Sequence, residues 1–326
     1  MNAERPVLSV VGPVHNEEKG ITEFHKRLMA ALTGLGVDFE VIYVDDGSRD
    51  GTGELLRRFR EADPRVRILQ FSRNFGHQMA ITAGMDHARG RACIVMDTDG
   101  QDPPEVIGRL VEAWKGGAQV VYAVRSKREG ETLFKKLTAA VFYRFMQSIT
   151  HVDIPPDAGD FRLLDEAVLK VMRDLRETHR YVRGLTSWVG FRQTRVEYVR
   201  LARLEGETHY PLMKMLRFAI DGVTSFSHIP LRWVTLAGSV SFVLSVLAGL
   251  WVLQVKLFNP GAVQGWTSMM AVVLFLGSIQ LISLGVMGEY LGRIFDEVKR
   301  RPLYIVSRAE GFEGDAAGGA PGAGLR

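Results

Sequence analysis

Short apolar runs alternate with segments of helical length over the first 124 residues. The runs are rich in β-branched side chains and lie at 7–11, 39–44, 66–71, 92–96 and 120–124. The segments between them predict helices near 17–33, 51–62, 76–89 and 103–116. Continuous apolar strands that alternate with helices predict an α/β fold, in which helices flank a mainly parallel sheet.

Two later spans contain no ionisable side chain, over 233–253 and over 269–288. Each is long enough to cross a bilayer as a helix, which predicts a transmembrane hairpin with helices at about 233–255 and 267–290. Basic residues flank the pair, and the connecting loop offers only Lys256. The positive-inside rule then predicts a multi-pass protein of the inner (cytoplasmic) membrane, with both termini and the N-terminal α/β domain cytoplasmic.

Between the strands and the hairpin, the segments 132–150 and 211–226 carry lysine and arginine beside large apolar residues. This pattern indicates amphipathic helices, which pack on their own domain or lie in the membrane interface. The predicted division of the chain is a core at 1–130, an acceptor-side remainder at 131–210, a second amphipathic helix at 211–230, the hairpin at 231–292 and a cytoplasmic segment at 293–326, disordered from about 311.

Composition adds three constraints. The net charge of +4 is too small to indicate a nucleic-acid partner. The one cysteine, Cys93, lies in an apolar run, which predicts a buried core residue and excludes an internal disulfide. The N-terminus carries Glu4 and lacks a long apolar core, so no signal peptide is predicted.

An acidic cluster, Asp97-Thr98-Asp99, follows the fourth apolar run, and Gln101 comes shortly after it. Alternate residues that leave a strand can direct two carboxylates and an amide toward one ion. Hard oxygen ligands of this kind suit Mg²⁺ or Mn²⁺, with the substrate phosphates completing the coordination. A solvated acidic turn has the same local pattern, so the motif alone is weak evidence for a metal site.

Two further polar clusters follow the first and second runs, at 15–18 and 45–48. Ligands in parallel α/β sheets bind beyond the carboxyl ends of the strands, where these clusters are predicted to lie. An acidic side chain there can accept a hydrogen bond from a base or a ribose. Turn formation and helix capping account for the same residues equally simply.

Taken together, the motifs P-x-H-N-E-E, D-D-G-S-x-D and D-x-D-x-Q-D-P-P-E resemble family 2 glycosyltransferases of the GT-A fold. The segments 157–166 and 181–191 and the paired C-terminal spans are similar to those of the polyprenyl-phosphate glycosyltransferases. That group includes dolichol-phosphate mannose synthases and bacterial undecaprenyl-phosphate (bactoprenol) glucosyltransferases, and the bacterial type is the more similar. His15 departs from the pattern, because many relatives have an aromatic residue there.

The resemblance implies roles at matching positions. The implied nucleotide-sugar ligands are Pro13, Glu17, Asp45, Asp46, Asp97 and Arg203. The implied metal ligands are Asp97, Asp99 and Gln101. The implied catalytic residues are Asp160 near the reacting centre and the basic residues Arg125 and Lys135, which would receive the lipid phosphate.

The implied reaction is inverting transfer of a sugar from a UDP-sugar donor to undecaprenyl phosphate, with Mg²⁺ or Mn²⁺ as cofactor. The sugar is glucose by resemblance, while N-acetylglucosamine, galactose or a 4-amino-arabinose derivative remain open. The resemblance also implies a homo-oligomer, possibly a tetramer.

Two other functional classes were weighed. A glycosidase needs two carboxylates at a defined separation across the scissile bond, and Asp97 and Asp99 are too close in sequence to favour one. A nonenzymatic scaffold or flippase component is disfavoured because the two spans lack the ionisable residues of a transport path.

Overall fold

A computed structural model describes residues 5–125, 158–199, 229–258 and 265–312. These residues form two compact units. The first contains the described residues up to 199 and those from Pro302 onward, and the second contains two long helices. The chain therefore leaves the first unit before the long helices and returns to it after them.

The described residues of the first unit form one eight-stranded sheet, in the order β7-β5-β6-β4-β1-β2-β3-β8. The strands are β1 Leu8–Val14, β2 Phe39–Asp45, β3 Val66–Phe71, β4 Ala92–Val95, β5 Val120–Arg125, β6 Ala158–Asp165, β7 Gln193–Tyr198 and β8 Val306–Glu310. Strands β4, β1, β2 and β3 are parallel to one another, as are β5 and β7. Strands β6 and β8 pair antiparallel with their neighbours.

The helices of this unit are α1 Ile21–Gly34, α2 Thr52–Ala62, α3 His77–His87, α4 Ile107–Lys115, α5 Glu166–Asp174 and α6 Val182–Trp188. Helix α1 shows how the sequence produces the layering: Ile21, Phe24, Leu28 and Leu32 are buried at spacings of three and four. That spacing places them on one helical face, which packs against the sheet. Strands β1 and β2 are buried along their whole length, as their continuous apolar runs predict.

The mainly parallel sheet with flanking helices confirms the predicted fold, and Cys93 is fully buried as predicted. The predicted amphipathic segments at 132–150 and 211–226 lie outside the described residues, as does the C-terminal tail beyond Phe312. Strands β6, β7 and β8 were not predicted. Strand β8 pairs with β3 at the edge of the sheet.

The second unit consists of helices α7 (Ile229–Phe258) and α8 (Trp266–Val298), which extend the two predicted spans at both ends. At 30 and 33 residues they are long enough to cross a hydrocarbon core, which needs about 20 residues. Large apolar side chains such as Leu236, Phe242 and Leu281 are more than 60% exposed. A buried hairpin of a soluble protein would cover such side chains, so this exposure favours lipid as their surroundings.

Candidate active site

A crevice lies beside the carboxyl end of β1. The connections from β1 lead to β2 on one side and, later in the chain, to β4 on the other, which makes this the switch point where α/β sheets bind ligands. Pairing between β1 and β4 ends at Val11 and Val95. Beyond that point lies a cavity of about 370 Å³, and five predicted site residues line it: Pro13, Glu17, Asp46, Asp97 and Asp99.

Pro13 is accommodated in a central strand because β4 no longer pairs with β1 at that position, so its missing N–H costs no ladder bond. Its carbonyl accepts a hydrogen bond of 2.8 Å from Thr98 Oγ1. Gly12 permits this approach, since a Cβ there would lie 2.9 Å from Thr98 Cγ2. The acidic cluster is thereby fastened to the end of β1.

Asp46 holds the loop that connects β3 to α3. Its carboxylate accepts hydrogen bonds from the backbone N–H of Phe75 at 2.6 Å and of Gly76 at 3.0 Å. Burial raises the pKa of Asp46, and these two bonds oppose the rise. The loop residues Asn74 and Gly76 line the cavity, as Asp46 itself does. Asp46 therefore holds the neighbouring part of the cavity wall in place.

Asp45 lies behind this wall and does not line the cavity. Its Oδ1 accepts the backbone N–H of Ser48 at 2.9 Å, which forms the turn into α2. Its Oδ2 is buried and has no hydrogen-bond partner within the described part of the chain. The structure therefore separates the two adjacent aspartates, and only Asp46 reaches the cavity.

The three residues of the cluster that follows β4, Asp97, Thr98 and Asp99, all line the cavity. Thr98 is nevertheless buried, and its hydroxyl is bonded to the end of β1. Asp99 Oδ1 accepts the backbone N–H of Gln101 at 3.0 Å, which tightens the turn. The side chain of Gln101 is buried and does not line the cavity. Two of the three predicted metal ligands thus face the same space.

His77, the first residue of α3, joins a carboxylate of strand β6 to one in the loop that follows β4. Its Nε2 lies 3.1 Å from Asp160 Oδ2 and 3.4 Å from Asp97 Oδ1. One potential ligand atom of each of the three residues lies within 4.8 Å of the others. The predicted catalytic residue Asp160 therefore lies directly beside the acidic cluster, although it is not among the residues that line the cavity.

Two arginines neutralise Asp160, whose side chain is only 3% exposed. Arg183 donates from Nε and Nη2 to the two carboxylate oxygens, each at 2.8 Å, in a bidentate pair. The fully buried Arg162 lies 3.8 Å away and donates to the carbonyl of Gly159 at 2.7 Å. Asp160 is thus held rigidly by partners from β6 and α6.

These contacts set the protonation states. Burial alone would raise the pKa of Asp160, but the hydrogen bonds from Arg183 and His77 outweigh it and hold the pKa well below its usual range. Burial would lower the pKa of His77, and the hydrogen bond to Asp160 and the charge of Asp97 raise it instead. Burial raises the pKa of Asp97 to about 6, which the charge of His77 only partly offsets. Asp160 is therefore ionised at neutral pH.

A divalent cation fits the cavity face of this cluster. Asp97 Oδ1 is buried and has no hydrogen-bond partner within the described residues, and Asp99 supplies a second carboxylate to the same space. Carboxylate oxygens are the ligands that Mg²⁺ and Mn²⁺ prefer. Asp160 is a poorer ligand, because its charge is already engaged by Arg183.

Sequence reasoning missed His77, Arg162 and Arg183. One feature of the sequence could have indicated His77. A helix predicted to begin near residue 76 places its first turn at the carboxyl end of β3, where ligands bind. The segments around the two arginines were recognised only as family motifs. Of the remaining predicted residues, Arg125 ends β5 with its side chain outside the described part, and Lys135 and Arg203 lie wholly outside it.

Comparison with known families agrees with this architecture. The model of glycosyl transferase family 2 matches residues 9–173, and the model of the GtrB C-terminal hairpin matches residues 229–294. The first match covers the crevice and Asp160, and the second covers most of both long helices. Among solved structures, the mannosyltransferase PcManGT from Pyrobaculum calidifontis in complex with GDP-Man and Mn²⁺ aligns with a TM-score of 0.44, at 16% identity over 86% of this chain and 88% of that one.

Three relatives are similar over nearly the whole chain. The uncharacterized glycosyltransferase YkcC of Bacillus subtilis is 52% identical over 94% of each chain. A prophage bactoprenol glucosyl transferase homolog of Escherichia coli is 39% identical over 93% of this chain and 99% of its own. The SfII prophage-derived bactoprenol glucosyl transferase of Shigella flexneri is 40% identical over 93% and 98%. The chain therefore belongs to glycosyl transferase family 2 and is a membrane glycosyltransferase that carries the GtrB C-terminal hairpin.

Proposed function

We propose that this enzyme transfers a sugar from a UDP-sugar to undecaprenyl phosphate at the cytoplasmic face of the inner membrane, with glucose as the first donor to test. The observation that carries the proposal is the combination of a carboxylate-lined switch-point crevice with two membrane-length helices in one chain. The names of the relatives from E. coli and S. flexneri support glucose and a bactoprenol acceptor.

On the donor side, Pro13, Glu17 and Asp46 hold the uridine. They line one cavity, and Asp46 is fixed by the loop that it binds. Asp45 supports the site without lining the cavity, because its carboxylate forms the turn that ends at Ser48. Arg203, predicted to contact the pyrophosphate, lies outside the described residues.

Asp97 and Asp99 hold Mg²⁺ or Mn²⁺, with Gln101 as the third predicted ligand. A bound divalent cation neutralises the charge that accumulates on the leaving diphosphate. Asp97 suits the position because one of its oxygens is buried and has no hydrogen-bond partner within the described residues. Burial raises its pKa to about 6, so cation binding and release of this proton are linked below about that pH.

On the acceptor side, a phosphate oxygen of the lipid attacks the anomeric carbon and expels UDP, which inverts the configuration. A phosphate monoester has a second pKa of about 6, so at neutral pH it is largely an anion and needs no strong base. Asp160 accordingly positions groups rather than removing a proton, because Arg183 and His77 hold its pKa well below the usual range. Arg125 and Lys135 attract the anionic acceptor.

The cytoplasmic topology is supported by the way in which the chain rejoins the catalytic unit after the hairpin. Residues after α8 add strand β8 to the sheet that the N-terminal residues begin, so the chain belongs to the catalytic unit both before and after the hairpin. The basic residues Arg293, Lys299, Arg300 and Arg301 near the end of α8 suit the cytoplasmic surface.

A homo-oligomer, possibly a tetramer, also remains part of the proposal. Glycines in α7 and α8 meet no neighbouring atom within 4 Å of an added Cβ, for example Gly238, Gly249, Gly277 and Gly285. Small residues of this kind allow helices of different protomers to approach closely. Crosslinking in native membranes tests this part, and a pattern containing only monomers would refute it.

The function is tested with the full-length protein in detergent, undecaprenyl phosphate and Mg²⁺ or Mn²⁺. UDP release and the mass of the lipid product are measured with UDP-glucose, UDP-N-acetylglucosamine, UDP-galactose and a UDP-4-amino-arabinose derivative. The expected result is UDP release that requires the lipid phosphate and yields a lipid-linked hexose. Asp99→Ala is the inactive control and keeps the fold, because Asp99 lines the open cavity.

Three outcomes would contradict the proposal in different ways. Free sugar that forms without the lipid acceptor indicates hydrolysis. No UDP release with any of the four donors refutes the transferase reaction as stated. Turnover in Asp99→Ala equal to that of the native enzyme refutes the metal role of that carboxylate.

A further inference from the structure

The segment that follows the membrane hairpin, residues 302–312, is termed the return segment. It rejoins the catalytic unit and lies along the edge of the sheet. Strand β8 within it pairs antiparallel with β3, and Ile305 O accepts the backbone N–H of Ser72 at 3.0 Å. Ser307 Oγ donates to Gln70 O at 3.0 Å. These contacts fasten the return segment to the end of β3, where the donor-side loop begins.

Tyr304 connects the return segment to the end of β3 and to the end of α3. Its ring stacks on Phe71, with centroids 5.2 Å apart and an interplanar angle of 16°. Its hydroxyl donates to Asp86 Oδ2 at 2.8 Å, near the end of α3. The same carboxylate oxygen also accepts a hydrogen bond from Arg176 Nη1 at 2.7 Å. Tyr304 therefore contacts the last residue of β3 and the last turn of α3.

The contacts continue from Phe71 into the cavity wall. Phe71 meets Phe75 edge to face at 5.6 Å, and Arg73 covers Phe75 at 4.0 Å. The backbone N–H of Phe75 donates to Asp46 at 2.6 Å, and its neighbours Asn74 and Gly76 line the cavity. A continuous row of aromatic rings thus joins the return segment to the loop that forms one wall of the donor site.

We infer that Tyr304 is a positioning residue for the donor site: by packing on Phe71, the return segment holds the loop at residues 72–76 in the conformation that binds the UDP-sugar. The inference rests on the proposed donor role of the cavity. It assigns the segment after the hairpin a part in donor binding, so a catalytic unit that ends before residue 302 has a disordered donor wall.

Amide hydrogen exchange and kinetics on the full-length protein test this inference. In Tyr304→Ala, we expect the amides of Phe75 and Gly76 to exchange about tenfold faster, because loss of the stacked ring removes the support of Phe71 and of the row of rings that leads to the loop. The KM for the UDP-sugar rises by a similar factor, while kcat stays within about twofold, since the reacting groups are untouched. Tyr304→Phe keeps the stack and restores most of both values.

Phe312→Ala is the matched control. Phe312 belongs to the same return segment, but it packs on His87 and Arg67, at the ends of α3 and β3 that lie far from the loop. Its removal should change neither the exchange of the loop amides nor the KM. If Tyr304→Ala does not fold, Tyr304→Leu replaces it, because leucine keeps apolar bulk but removes the stacked ring and the hydroxyl. Loop amide exchange and the KM are then measured on that variant.

The inference is overturned by unchanged loop exchange in both Tyr304→Ala and Tyr304→Leu. Equal acceleration in Phe312→Ala would also overturn it, because the effect would then be general loosening of the segment. Amide exchange needs no substrate. A native enzyme that fails to turn over any UDP-sugar therefore refutes the proposed function, while the exchange result still decides whether Tyr304 positions the loop.

Discussion

His77 Nε2 lies 3.1 Å from Asp160 Oδ2, although the two residues are 83 positions apart in the chain. The contact joins the start of α3 to an antiparallel strand, β6, and it brings Asp160 beside the acidic cluster at Asp97. The carboxylates proposed for the donor side and for the acceptor side therefore share one imidazole. The proposed reaction requires its two substrates to meet at this place.

His77→Ala should lower kcat by about 10- to 100-fold, because Asp97 and Asp160 lose the group that fixes their separation. UDP release at saturating donor measures the effect. His87→Ala is the control, since it replaces the same residue type at the other end of α3. A kcat within twofold of the native value for His77→Ala would exclude this role.

The pair Arg183–Asp160 should show strong energetic coupling. Removing Arg183 deprives the buried Asp160 carboxylate of its bidentate hydrogen bonds, and this loss has no further effect once Asp160 itself is replaced. We expect a coupling energy of about 1–3 kcal/mol from a double-mutant cycle with Arg183→Gln and Asp160→Asn, followed by thermal unfolding. The exposed pair Arg5–Glu166, with a similar distance of 2.9 Å, is the control and should give less than about 1 kcal/mol. Equal coupling in both pairs would contradict the prediction.

Asp97→Asn should stabilise the metal-free protein near neutral pH while abolishing donor binding. The pKa of Asp97 is raised to about 6, so the folded state binds this proton more tightly than the unfolded chain does. The contribution of Asp97 to stability is therefore present below about pH 4 and is lost as pH rises through about 6. The two-unit difference corresponds to about 1–3 kcal/mol.

Thermal unfolding of both proteins in chelator at pH 4 and pH 7.5 measures this difference. The melting temperature of Asp97→Asn should exceed the native one at pH 7.5, and the two should converge at pH 4. A variant that melts below the native protein at pH 7.5 would show that the charged form of Asp97 is stabilising.

Gly47→Ala should weaken both the fold and donor binding. Gly47 has a φ of +69°, and an added Cβ would lie 2.6 Å from the backbone carbon of Arg73, in the donor-side loop. Strain of this kind costs about 1–3 kcal/mol, and relief requires movement of that loop. The melting temperature and the KM for the UDP-sugar measure the two effects.

Gly34→Ala is the control for that substitution. Gly34 ends α1, and an added Cβ there meets no atom within 4 Å. Alanine is the better helix former, so this variant should be neutral or more stable by up to about 1 kcal/mol. Similar losses in both glycine variants would show that the effect of Gly47→Ala does not come from the positive φ and the close contact with Arg73.

Local pattern was enough to determine the strands and helices up to residue 125 and the two long apolar helices. Each of those features depends on neighbouring residues: an apolar run makes a buried strand, and an uncharged span of about 20 residues makes a membrane-length helix. The position of Asp97-Thr98-Asp99 after a buried strand was visible for the same reason. The family resemblance, carried by several motifs together, added Asp160 to the site.

Tertiary structure alone decided which of these side chains meet. The sequence could not separate Asp45, which forms a turn, from Asp46, which reaches the cavity, because the two are adjacent and chemically identical. Nor could it place Arg183 on Asp160 or Tyr304 on Phe71, since those contacts join distant parts of the chain. Periodicity reports on neighbours along the chain, whereas pairing across a sheet depends on how the whole sheet assembles.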